Sequence, residues 1–172
     1  MNSSATNSVG ESRPFAAIVT AWLVVGILDI TSALIIWHSR GTGPVRGLQG
    51  IASALLGAES FEGGVATASL GLAIHFLIAF VVVALFYLVS RRLTFLTQRA
   101  VVSGLLYGVV VYFFMYWFVL PQAFPKFKHS VSNDLLAVAI HMVLIGLPTG
   151  LIVRRFSSVP LNSQQSTINS SP

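Results

Sequence analysis

The chain has 172 residues, 55% hydrophobic and 9% charged, with ten Lys and Arg against five Asp and Glu and a mean hydropathy of +0.82. A soluble domain carries about 25% charged residues because its surface must be wetted, so this composition excludes a water-soluble globule and makes lipid the solvent. The net charge of +5 does not point to nucleic acid, because the basic residues stand in ones and twos at the ends of apolar runs, where they flank membrane spans.

There is no cysteine, which excludes disulfides, thiolate nucleophiles, iron–sulfur clusters and cysteine-held zinc. Residues 1–14 form a polar segment with Arg13 as its basic residue. A secretory signal has a basic start and a shorter apolar core, so the first apolar run, 15–38, reads as an uncleaved span. Asp29 is its only charge. Gly41-Thr42-Gly43-Pro44 breaks the helix. Residues 45–56 then place Val45, Leu48, Ile51, Ala52, Leu55 and Leu56 on one helical face and Arg46, Gln49, Gly50 and Ser53 on the other. Twelve residues cannot cross a bilayer, so this segment is expected as an interfacial or re-entrant helix. Glu59 and Glu62 follow. They are candidate cation-collecting carboxylates at the outer mouth, or simply complements to the positive N-terminal end of the next helix.

The second span covers 64–89, carries His75 and closes on Arg91-Arg92. The third covers 100–120 and carries Tyr112; the segment from Pro121 to Lys126 reads as a loop, since proline removes a donor. The fourth covers 133–153, with Asn133 or Asp134 as its N-cap. It carries His141, and a kink is expected at Pro148, which cannot bond the carbonyl of Leu144. Residues 156–172, rich in Ser, Asn and Gln, are expected to be a disordered tail. The result is an all-α fold: a four-helix transmembrane bundle in one membrane domain, 15–155, with the lipid bilayer as its partner.

Arg13, Arg91, Arg92, Arg99, Arg154 and Arg155 fall on one side of this layout, and Arg40, Arg46, Lys126 and Lys128 on the other. The excess predicts both termini on the cytoplasmic side. Gly104 with Gly108, and Gly146 with Gly150, form small-xxx-small ridges that let helices approach closely. Used together inside one bundle they would crowd, so they offer a surface to a second copy of the chain. Trp22, Trp37 and Trp117 are expected near the headgroups.

Asp29, His75 and His141 lie well inside spans, where ionisable groups are costly and face the bundle interior or water. At about 1.5 Å per residue, Asp29 is roughly 13 Å from the non-cytoplasmic end, His75 roughly 16 Å, and His141 and Tyr112 roughly 12 Å. Each span thus places one polar group in a common layer. Three readings are open. The layer is a structural lock between helices. Or it serves a proton or small-solute conduit. Or His75 and His141 hold a b-type haem. No HExxH, P-loop, GxGxxG or Ser-His-Asp order argues for catalysis or a metal, so the expectation is a non-enzymatic membrane protein without a cofactor.

Leu48-Gln49-Gly50-Ile51-Ala52-Ser53, Gly63-Gly64 with His75-Phe76, and His141-Met142 followed by Gly146-Leu147-Pro148 resemble a group of small four-span bacterial membrane proteins. More distantly, the chain is similar to the YagU-like inner-membrane proteins. The resemblance implies a bacterial inner-membrane location and four spans, and brings no site residues with it.

Overall fold

A computed structural model describes residues 14–124 and 128–157. Among them the backbone is helical throughout its regular elements, with no strand. Lipid cannot bond exposed backbone groups, so long apolar runs satisfy them internally as helices. Four are long and apolar enough to cross a membrane: Pro14–Ser39, Gly64–Ser90, Ala100–Val119 and Val131–Ser157. These are the first to fourth spans, and the chain is a multi-pass membrane protein. The expected polar segment before Pro14 and the tail beyond Ser157 lie outside the described residues.

The first span stops in a Schellman motif. Gly41 takes φ +77°, its N–H bonds the His38 carbonyl at 3.0 Å, and the Thr42 N–H reaches back to Trp37 at 2.8 Å. Glycine tolerates that left-handed conformation where a side chain is strained. The chain re-enters a helix at Pro44, whose missing donor costs nothing in a first turn.

This helix, Pro44–Leu56, turns one residue from each face of its sequence stripe inward, Ala52 from the apolar face and Gln49 from the polar one. It buries Gly47, Gln49 and Ala52 and leaves Val45, Leu55 and Leu56 exposed. It packs along the second span, where a Cβ on Gly71 would collide with the Leu48 carbonyl. Gly71 stands seven residues inside that span, about 10 Å along its axis. A short helix packed along the outer turns of the second span, with Leu55 and Leu56 exposed, is consistent with the interfacial or re-entrant placement expected of it. Gln49 is held inside because its amide donates to the Gly64 carbonyl at 3.0 Å and to Thr67 Oγ1 at 3.4 Å. Thr67 in turn donates to Ser60 at 2.6 Å.

The third and fourth spans meet backbone to backbone. A Cβ on Gly104 would lie 2.6 Å from the Gly146 carbonyl, and one on Gly150 would lie 2.5 Å from that of Ala100. Gly108 faces His141 and Met142 as closely, and Gly146 faces Gly104 and Gly108. The expected crowding does not arise, because the two ridges interleave with each other. They are consumed within the chain, which leaves neither as a free surface for a second copy.

Both spans carry a π-helical turn just before a proline: Met115–Val119 ahead of Pro121, and His141–Gly146 ahead of Pro148. The Leu120 N–H bonds Met115, and the Leu147 N–H bonds Met142, each five residues back. The wider turn accommodates the bond that proline cannot make. Pro121 therefore does not open a loop: the helix continues through Leu120–Ala123. The fourth span starts at Val131 with Ser130 at its N-cap, two to three residues earlier than expected. Asn133 instead accepts from Arg40 at 2.9 Å. Trp22 is not at a headgroup either; its indole donates to the Phe76 carbonyl at 2.7 Å and ties the first span to the second.

Candidate functional site: a cavity floored by Asp29, His75 and His141

From the observed ends, Asp29 lies ten residues from Ser39, His75 eleven from Gly64 and His141 ten from Val131. The three depths are therefore about 15 to 16 Å, more level than the sequence alone places them. All three residues line one cavity of about 540 Å³. That size lies within the range of small-molecule sites. Its walls are largely aliphatic, from Val25, Ile74, Ile78, Ala79, Val82, Val111, Met115 and Ile145. Trp37, Thr42, Arg46 and Phe61 line its outer end. The Arg46 guanidinium lies 4.5 Å over the Phe61 ring, a cation–π contact that fixes it beside the mouth.

Gly26 makes the floor possible. Its missing side chain admits the ring of Phe76, whose nearest atom would lie 2.5 Å from a Cβ there. That close approach lets His75 Nε2 reach the Gly26 carbonyl at 3.0 Å. A carbonyl only accepts, so Nε2 carries the proton of the neutral ring and Nδ1 presents a lone pair. Nδ1 faces Asp29 Oδ2 at 3.9 Å. At that distance the two acceptors form no hydrogen bond, and they attract only with a proton between them.

His141 is set by the same logic. Its Nδ1 donates to the Ala137 carbonyl one turn back at 2.8 Å, which leaves Nε2 as the acceptor of a ring that lines the cavity. Asp29 and His141 are electrostatic neighbours. Tyr112 is buried but does not line the cavity. It packs edge-on against the His141 ring at 5.9 Å, and its hydroxyl interacts with Trp117 and Asp134. Tyr116, one turn further along, holds the His141 ring edge-on at 5.8 Å and is an electrostatic neighbour of Asp29. Its i, i+4 relation to Tyr112 is the signal that could have singled it out. Glu59 and Glu62 are exposed and take no part in the cavity wall.

Below the layer the cavity continues between Val25, Ile78, Ala79, Val82 and Ile145. Ala21, Val25, Val83, Val111 and Ile145 form one buried apolar cluster, and Ala17, Phe86, Tyr87 and Val153 form a second. Tyr107 bridges the second and third spans there by donating to the Val82 carbonyl at 2.7 Å. The cavity thus runs from the side opposite the helix ends at Pro14 and Ser157, past the layer as far as Val82, and the buried cluster around Phe86 lies beyond it.

The histidines do not fit a bis-imidazole haem site as they stand. Nε2 of His75 is engaged with Gly26, and freeing it would leave a carbonyl unpaired inside the bundle. Among the described residues no group of three His, Cys, Asp or Glu side chains is placed to hold a metal. No protein-family model, curated protein or solved structure matches the chain.

Proposed function

We propose that the protein is a non-enzymatic small-solute conduit of the bacterial inner membrane, with both termini cytoplasmic. In this reading its cavity takes up a solute from the non-cytoplasmic side, and the Asp29–His75 pair exchanges a proton at its floor. The observation that carries this reading is the meeting of Asp29, His75 and His141 in one largely apolar cavity of about 540 Å³. Ionisable groups at mid-membrane are retained where they pair or meet a pathway, and here they do both. The buried apolar cluster of Ala17, Phe86, Tyr87 and Val153 beyond the cavity's inner end argues against an always-open proton channel and for a carrier open to one side. The π-helical turns in the third and fourth spans both line the cavity, through Met115 and Val119 and through His141 and Ile145, and such turns are frequent at functional sites. The excess of arginines at the ends carrying both termini supports the orientation.

Proteoliposomes given a pH gradient test this directly with an entrapped pH-sensitive dye. Proton movement is expected in the wild type and is expected to stop in Asp29→Asn, with the thermal stability of that variant unchanged. Wild-type vesicles that hold the gradient as well as empty ones contradict the proton exchange.

A further inference from the structure

The chemistry of the cavity floor specifies a ligand class, an inference that rests on the solute-binding reading above. Nδ1 of His75 and Nε2 of His141 are both acceptors, because each ring spends its N–H on a backbone carbonyl. The Asp29 carboxylate adds a third acceptor and the only formal negative charge on the cavity wall. Among the described residues its ion-pairing partner is His75, and no arginine or lysine is paired with it. Arg46 is held at the outer end over Phe61. Once its proton leaves, the polar layer offers acceptors and negative charge, while the walls around it are hydrocarbon. A carboxylic acid or phosphate ligand would face Asp29 with like charge and receive no hydrogen bond from the neutral rings.

We infer that the cavity binds an apolar amine in its ammonium form, with the N–H groups donating to Asp29, His75 and His141 and the hydrocarbon body against Ile74, Ile78 and Met115. An ammonium has three donors and no acceptor, the complement of this floor. It also supplies what the Asp29–His75 pair otherwise needs a proton for. The exchange balances: one ammonium enters and one proton leaves. The other charged or titratable groups around the pair are His141 from the fourth span, Tyr116 from the third, which also neighbours Asp134 and Arg40, and Arg46 from the Pro44–Leu56 helix; among the described residues none but His75 is in an ion pair with Asp29. The aromatic lining of the outer end, Trp37, Phe61 and Phe124, favours passage of a cation over an anion.

Phenethylamine, 2-phenylethanol and 3-phenylpropionate share an apolar body and differ in their head groups. Calorimetric titration of the purified full chain with each, in two buffers of different ionisation enthalpy, tests the inference. The amine is expected to bind about tenfold tighter than the alcohol or more, as a charge-assisted hydrogen bond away from water implies, with release of up to one proton. Asp29→Asn is expected to bring the amine down to the affinity of the alcohol and leave the alcohol unchanged. Equal binding of alcohol and amine, tighter binding of the acid, or an Asp29→Asn protein that keeps its amine affinity overturns the ammonium site while the cavity stands. If none of the three binds the wild type, the solute-binding reading falls with it. The wild-type comparison holds whether or not the variant folds.

Discussion

His75 turns one nitrogen to the backbone of Gly26, 3.0 Å away, and by doing so points the other at Asp29, 3.9 Å away. The first contact fixes the tautomer and the second makes that tautomer consequential. A histidine with Nε2 free to rotate would be only a polar packing group between two helices. Held this way, it is half of a proton site at the floor of a cavity.

Replacing Asp29 separates packing from charge. Asp29→Asn keeps an acceptor and adds a donor for His75 Nδ1, so the melting temperature in detergent is expected to stay close to wild type. Asp29→Leu leaves the ring nitrogen without a partner. It is expected to lower stability by about 1 to 2 kcal/mol, the scale of interhelical hydrogen bonds in lipid. Equal loss in both variants would mean that the shape of the side chain, and not its hydrogen bonding, holds the first span to the second.

The glycines of the cavity and of the helix seam are expected to behave oppositely. Gly104→Ala puts a methyl 2.6 Å from the Gly146 carbonyl, where backbone cannot yield cheaply, so destabilisation of about 1 to 3 kcal/mol is expected. A Cβ on Gly50, which lines the cavity, meets nothing within 4 Å. Gly50→Ala is expected to be neutral in thermal unfolding, and a large loss there would contradict the open space beside it.

Gln49 tests the inward side of the Pro44–Leu56 helix. Gln49→Leu removes the donors to Gly64 and Thr67, and a loss of about 1 kcal/mol is expected from unfolding in detergent. A stabilised variant would place that residue against lipid.

The bundle was legible in the sequence because lipid imposes one simple rule, and apolar length alone located four spans to within a few residues. The polar layer was legible for a related reason: Asp29, His75 and His141 are conspicuous in hydrocarbon, and helical rise converts position into depth. Facing was not legible in the same way. The stripe on 45–56 separates two faces but does not say which turns inward, and the structure buries Ala52 from one and Gln49 from the other. Tyr112 shares the depth of the layer but not its direction, since its hydroxyl turns to Asp134. The ridges at Gly104 and Gly146 were visible individually, but that they pack on each other depends on the relative rotation of two helices, which no local pattern encodes.

The most direct measurement of the account is the water accessibility of two neighbouring positions in a chain that has no cysteine of its own. Ile78 lines the cavity, while Leu77, one residue away at the same depth, is 62% exposed on the outside of the bundle, where lipid covers it. With a small, charged, membrane-impermeant thiol reagent, Ile78→Cys is expected to react from the face opposite the termini and Leu77→Cys to remain unlabelled. An unreactive Ile78→Cys, or equal labelling of the two, would contradict a one-sided cavity that brings water or solute to Asp29 and His75.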